Sequence, residues 1–461
     1  MAQHKKKPSS QHLEAIAKAH HKNEFLRKLK IFVNSCCDED IFSLIPPKFQ
    51  ETIYRLRCHS LTIVAASDNP MPEHLLNNQR HTLSVWLKKD PFKLVKYNQT
   101  VFLDDFLTVG LTAFLLNLTI SEDSFPNAPR VKAALFNYCN DEEPCNRLCK
   151  QLYSAFEAMS WYISDLAGHL YWLNYEMKSA ENGKFGVNNI VEIHRIIPET
   201  LRIKVNGIIR PAIRMCWAHP YDGLKWTTLK PSQLGIKNPL SDEPMPVYVQ
   251  SHVLRRLLER IDSLMPSVAQ FNMIISFHDP KVLYDCNHNL MIEYRIFGTK
   301  AGYFRIDINK GIVVVRTFLF LTQISTPEGQ LLWKNTGLQK MDTKYLALDK
   351  LSSFMSSDIG ENKIIRKIFN DSGCQSLLEL YERHESLCIK HPSQHTCKLM
   401  IDYLGDTISK FPEEVFVDEL LTQNQEPLSE IEGDSPDTDE EFVYALATAN
   451  HPTQEGLART F

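Results

Sequence analysis

Residues 290–321 read LMIEYRIFGTKAGYFRIDINKGIVVVRTFLFL, and this stretch decides the fold. Three apolar runs, Leu290 to Phe297, Tyr303 to Ile308 and Ile312 to Leu321, are separated by Gly298-Thr299-Lys300 and Asn309-Lys310-Gly311. Short β-branched and aromatic runs bounded by glycine-containing turns predict a meander of strands. Ile312-Val313-Val314-Val315 is β-branched and uncharged, the composition of a central strand covered on both faces. Upstream, Leu201 to Val205, then Asn206-Gly207, then Ile208 to Trp217 predicts a strand, a tight turn and a returning strand, because Asn and Gly tolerate the positive φ of such turns. Between this hairpin and the meander the periodicity predicts one helix, Ser251 to Ser263.

Outward from there the period becomes helical. Leu148, Leu152, Phe156, Met159, Ile163, Leu166 and Leu170 step by three to four residues and predict a helix over Cys145 to Met177, whose aromatic residues belong to the core. The polar break Ser179 to Gly186 closes that region. After Lys344, helical spacing returns through Leu346, Leu351, Ile365, Ile368 and Leu377. The fold class is therefore α+β: a helical N-terminal domain (11–180), a central, mostly antiparallel sheet with a packed helix (187–325) and a small helical C-terminal subdomain (340–410). A basic tail (1–10) and an acidic, disordered tail (411–461) complete the expectation.

The chain has 461 residues, 43% hydrophobic and 23% charged, which excludes a disordered, collagenous or disulfide-stapled class. The net charge of -4 is unevenly spread. Residues 1–34 carry eight Lys and Arg against two Glu, and residues 411–461 carry thirteen Asp and Glu against Arg459. The body between them is nearly neutral, so no broad basic face follows from totals. Eleven cysteines at irregular spacings, with no apolar signal segment before them, predict reduced thiols and a cytoplasmic location. The most apolar run, Phe106 to Ile120, is too short for a membrane span and predicts a core helix or strand pair. No phosphate-binding glycine loop, nucleophile elbow or HExxH motif occurs.

The most informative local pattern is SHVLRRLLERI, residues 251–261. On a helix, Val253, Leu254, Leu257, Leu258 and Ile261 fall on one side, with His252, Arg255, Arg256, Glu259 and Arg260 on the other. Guanidinium groups hold phosphate oxygens bidentately and imidazole moves a proton near neutral pH, so this face suits a phosphodiester. It equally suits a solvated face in which Glu259 pairs with Arg255 or Arg256.

The string S-H-x-L-x-R-L-x-E-R-I, followed by strands ending in a Val-rich run and Arg316-Thr317, resembles the small α+β modules of the RelE/BrnT-like toxin type and their uncharacterised relatives. The likeness covers residues 245–322, with Val253 where those modules carry a small residue. It implies a helix packed on a short antiparallel sheet and RNA binding or ribonuclease chemistry, with Tyr294, Arg295, Tyr303 and Arg305 as the candidates among the strands.

Two clusters carry metal-ligand types. Cys388, His391, His395 and Cys397 supply four ligands at spacings near those of structural zinc sites, but without a paired CxxC knuckle. His278-Asp279 with Asp285-Cys286-Asn287-His288 predicts a turn before a strand. Zinc is the one cofactor these residues suit; none is otherwise expected. The aromatic loop Trp217 to Gly223 reads as a turn packed by its own Trp and Pro. The leading functional expectation is a macromolecule-binding accessory protein without catalysis, its partner another protein or RNA, with no membrane and no small-molecule ligand. The alternatives are an RNA-binding or ribonuclease-like module, with His252 and Arg256 catalytic and Arg255 and Arg260 binding, and a zinc-stabilised interaction protein.

Overall fold

The computed structural model of the chain describes residues 10–405 apart from 38, 68–69, 181–185, 206, 221, 238, 240, 286, 356–358, 360–361 and 385–395. The acidic tail 411–461 and, but for Ser10, the basic tail 1–10 lie outside the described residues. The architecture is α+β.

The N-terminal half is built from α1 (Ser10–Ser35), α2 (Pro47–Leu56), β1 (Thr62–Ala65), α3 (Glu73–Lys89) and the hairpin β2 (Pro91–Leu94) with β3 (Gln99–Phe102). A continuous helical run follows: α4 (Leu103–Asp105), a π turn (Phe106–Gly110) and α5 (Leu111–Thr119). The apolar run from Phe106 is thus a core helix, with Phe106 stacked on Phe92 at 4.0 Å between ring centroids. Then come α6 (Ala128–Cys139) and α7 (Glu143–Ile163). Helices α2, α6 and α7 carry proline in the first turn, where the missing N–H would have had no intrahelical partner.

Helix α7 stops at Ile163, well short of the expected end at Met177. Ser164 breaks it: its Oγ accepts from the Tyr171 backbone N–H at 2.9 Å. The following residues form β4 (Leu170–Ser179), paired along its whole length with β5 (Val187–Ile196). Tyr171, Trp172 and Tyr175 match a helical step, but aromatic residues favour strands, and pairing with β5 satisfies the backbone of both. Strand β5 also pairs in parallel with β1, so the division expected between 180 and 187 falls inside a hairpin. The core of this half includes Leu29, Phe92, Phe106, Phe156 and Val191, all fully buried.

The second half holds β6 (Thr200–Val205), β7 (Ile208–Arg214), β8 (Cys216–His219), β9 (Gly223–Trp226), β10 (Thr228–Leu229) and β11 (Met245–Gln250). Helices α8 (Ser251–Arg260) and α9 (Pro266–His278) follow, then β12 (Val282–Tyr284), β13 (Leu290–Ile296), β14 (Thr299–Asn309) and β15 (Ile312–Phe320). The main sheet runs β12-β13-β14-β15-β11-β7-β6, with β10 beside β11. Every pairing in it is antiparallel except β11 with β15, which is parallel. Val313, Val314 and Val315 are fully buried on a strand paired along both edges, as their composition predicts.

Two differences from the sequence reading stand out here. The returning strand is interrupted at Met215, dividing it into β7 and β8. Two helices, not one, separate the hairpin from the meander. Helix α9 has Val268, Phe271, Met273, Ile274 and Phe277 buried around most of its circumference, so it lacks the polar face that reveals helical periodicity.

After the meander come α10 (Pro327–Thr336), α11 (Lys340–Tyr345), α12 (Ser352–Met355), α13 (Lys363–Asp371), α14 (Gln375–His384) and α15 (Thr396–Leu404). Leu351, Phe354, Ile368 and Leu377 belong to the same buried cluster as Ile292, Phe304 and Val315, so these helices share the core of the sheet. Helix α7 links the two cores. Trp161 packs edge-on against Phe271 at 4.9 Å, and Gln270 accepts from the Leu166 N–H at 2.9 Å while donating to Asp165 Oδ1 at 3.0 Å. Among the described residues no helix is long and apolar enough to cross a membrane.

Candidate functional site: a cationic pocket at the start of α8

The site forms where β11 leaves the sheet. The β11–β7 ladder runs Tyr248 with Arg214, Val249 with Ile213 and Gln250 with Ala212, and stops there because Ser251 begins α8. Strand β7 continues alone beside β6, so Pro211 and Arg210 face the first turn of the helix instead of another strand. The orientation of α8 is fixed by its apolar side. Val253, Leu254 and Leu257 are buried, and each such side chain contributes about 1.5–3 kcal/mol. Rotating the polar face inward would lose that burial, so His252, Arg255 and Arg256 are held outward.

Arg210, Pro211, Ser251, His252, Arg255 and Arg256 line an open pocket of about 530 Å³. Helix α8 starts without a side-chain cap, leaving its first N–H groups and the positive end of its dipole at the pocket. His252 Nε2 lies 3.5 Å from Arg210 Nη1. Guanidinium only donates, so Nε2 is left as the acceptor. Arg256 Nη1 donates to Thr317 Oγ1 at 2.6 Å, and Arg255 Nε sits 3.4 Å from Glu259 one turn further on. That exposed pair is worth at most about 1 kcal/mol. Among the described residues no carboxylate lies within ion-pair distance of Arg210 or Arg256, so the pocket keeps a positive field suited to phosphate oxygens.

Burial, then the neighbouring guanidiniums of Arg210 and Arg256, hold the His252 pKa below 6.5, against a smaller upward pull from a hydrogen bond to the Arg316 backbone. The imidazole is therefore neutral at pH 7. Because protonation is easier in the unfolded chain, this ring's contribution to stability is present above pH 6.5 and lost as pH falls from there through the lower pKa of the folded state. Arg210→Ala removes one of the depressing charges, so the His252 pKa should rise, measured by NMR titration of the imidazole. An unchanged pKa in this variant would remove Arg210 from the account.

The structure does not bring the other expected residues here. Arg260 is tied to the buried Asp349, both to its carboxylate and, at 3.1 Å, to its carbonyl, fastening α8 to the segment before α12. Tyr294 is fully buried among Phe304 and Phe318, its hydroxyl donating to the Ala269 carbonyl at 3.2 Å. Tyr303 is also buried, donating to Glu328 Oε1 at 2.7 Å. Arg295 is held by Asp279 at the end of α9, and Arg305 by Asn289. Sequence reasoning missed Arg210, Pro211 and Ser251. Arg210 carries no local signal, since only the β7–β11 ladder sets it beside His252.

Cys388, His391 and His395 lie outside the described residues, and of Cys397 only the backbone, in α15, is described. Among the described residues no group of three or more His, Cys, Asp or Glu is placed to hold a metal ion. Asp285 takes the turn role expected of it, its Oδ1 accepting from the N–H groups of Asn287 at 2.9 Å and Asn289 at 2.8 Å. In the Trp217 loop, His219 Nε2 meets the Tyr153 hydroxyl at 2.5 Å and its Nδ1 lies 3.1 Å from Asp222, joining β8 to α7.

Compared with protein-family models, with curated proteins and with solved structures, the chain matches none.

Proposed function

We propose that this protein is a macromolecule-binding protein whose ligand is the phosphate backbone of RNA, held at the pocket before α8. The carrying observation is that three guanidinium groups, two of them without a carboxylate partner among the described residues, converge with an uncapped helix start on one open pocket. Phosphate is the anion such a set suits, by charge-assisted hydrogen bonds and the helix dipole together. The neutral His252 favours RNA over DNA in this reading: once Arg210 turns from Nε2 to a phosphate, that nitrogen can accept a hydrogen bond from a 2′-hydroxyl, a group DNA lacks. Among the described residues the pocket lining contains no Phe, Tyr or Trp, the large stacking platforms for unstacked bases, so recognition in this reading runs mainly through the backbone.

The test is RNA binding by the full chain, followed by fluorescence anisotropy across a salt series. Two or three phosphate contacts should give a slope of about -2 to -3 in log K against log salt. His252→Ala combined with Arg256→Ala should flatten that slope and weaken binding. Salt-independent binding, or binding kept by the double variant, would rule the pocket out.

A second reading, ribonuclease-like cleavage, rests on the neutral His252 at the pocket. Its imidazole takes the proton of a 2′-hydroxyl as that oxygen attacks the adjacent phosphorus, while the P–O5′ bond breaks and the leaving 5′-oxygen takes a proton from water. Its readout is the appearance of 2′,3′-cyclic phosphate ends, lost in His252→Gln while binding persists. Intact RNA after prolonged incubation leaves binding alone.

A further inference from the structure

The hairpin beside the pocket carries a feature that packing does not explain. Ile208 and Ile209 are consecutive in β7 and so point to opposite faces, yet they are 55% and 62% exposed. Leu201 on the partner strand is 40% exposed as well. The register pairs Lys204 with Ile209, Ile203 with Arg210 and Arg202 with Pro211. Beyond Ala212 no strand among the described residues covers β7 on its other side, because β11 has already turned into α8. The result is a two-stranded ribbon, braced by Asn309 Nδ2 donating to the Lys204 carbonyl at 3.2 Å. From Thr200 to Arg214 the sequence contains Arg202, Lys204, Arg210 and Arg214 and no Asp or Glu. Arg214 is neutralised by Glu199 at 3.0 Å; Arg202, Lys204 and Arg210 are exposed. Adjacent exposed apolar side chains mark a contact surface, and their flanking cations give the sign of its partner.

We infer that the β6–β7 ribbon is a second contact arm for double-stranded RNA, laid along the minor groove while the pocket holds a phosphate at its edge. This rests on the RNA reading of the pocket and adds the form of nucleic acid to it. The A-form minor groove is wide and shallow and displays ribose rings and 2′-hydroxyls, which suits a ribbon with apolar tips flanked by cations. Ile208 and Ile209 meet the ribose faces. Arg202 and Lys204 reach phosphates on one face of the ribbon, and Arg210, on the other, joins the pocket set. A single strand offers no groove of fixed width, so the arm gains nothing from it.

The experiment uses the full chain, a duplex RNA of about two helical turns and a single strand of the same sequence. Ile208→Thr with Ile209→Thr keeps the β-branched shape and removes the apolar tips. Duplex binding should fall at least tenfold with the salt slope retained, and single-strand binding should not change. Arg202→Gln with Lys204→Gln should instead lower the slope by about one to two. Duplex binding unchanged in the threonine variant overturns the arm, while the pocket reading stands if Arg210 and Arg256 variants still weaken binding. Absence of RNA binding in the unmodified chain removes both. Isoleucine-dependent binding to phosphatidylserine vesicles with RNA binding untouched also overturns the inference, assigning the tips to a lipid surface.

Discussion

Reversing two charges, Arg210→Glu with Arg256→Glu, is expected to lower RNA affinity by about a hundredfold or more at 0.15 M salt, since each lost contact costs roughly a factor of ten and each new carboxylate repels a phosphate. Both guanidiniums are exposed and neither has a carboxylate partner among the described residues, so the variant should unfold at the temperature of the unmodified protein. The slope of log K against log salt should drop by about 2. Arg260→Ala gives the opposite pattern. It strands the buried Asp349 carboxylate, so it should destabilise the fold while leaving the affinity of the folded protein intact. Proton linkage offers an internal check. A 2′-hydroxyl donating to Nε2 requires neutral His252, so binding to RNA should weaken as pH falls from 6.5 through the ring's lowered pKa, an effect absent from His252→Ala. Full affinity in the charge-reversed protein would end the case for this pocket.

The largest stability loss is expected at Gly329, in the first turn of α10. A Cβ there would lie 1.9 Å from the Gln323 carbonyl oxygen and 2.3 Å from its carbon. Those atoms are backbone and cannot swing aside. They are also fixed by Thr326, whose hydroxyl donates to the Gln323 carbonyl at 2.8 Å and accepts from the Gly329 N–H at 3.0 Å. Gly329→Ala must therefore separate α10 from the turn that follows β15, displacing the buried Glu328 from Lys300 and Tyr303. A cost of about 3 kcal/mol or more is expected in denaturant unfolding, the range of overpacked sites with a disrupted buried network. Gly337→Ala is the control. Its φ of +76° disfavours a side chain, but nothing lies within 4 Å, so only the conformational penalty of about 1 kcal/mol applies. Equal losses at the two positions would show that the close approach at Gly329 carries no energy.

The parts of the fold that were legible are those whose signal is contained within one element. The β-branched run before Arg316 identified a central strand, Asn206-Gly207 marked a hairpin although Asn206 itself lies outside the described residues, and the amphipathic step of residues 253–261 gave α8 its buried face. Errors occurred where one pattern served two structures. Tyr171, Trp172 and Tyr175 extend a helical stripe on paper and form a strand in the protein, because β5 is available to pair with them. Helix α9 went unread because Gln270, Asn272 and Ser276 are buried along with its apolar residues, and burial on most sides erases the period.

For the candidate site, the sequence by itself determined which side of α8 is polar: the hydrophobic spacing commits Val253, Leu254 and Leu257 to the core, and His252, Arg255 and Arg256 follow to the opposite side. Only the tertiary structure decided which of the cations remain available. It drew Arg260 to Asp349, buried Tyr294 and Tyr303, and brought Arg210 from a hairpin distant in sequence to the start of the helix. The physical reason is that periodicity is a local property of a single element, whereas the end of a strand ladder depends on which partner strand is present and where it stops. Here β11 stops at Gln250, and that stop creates the pocket.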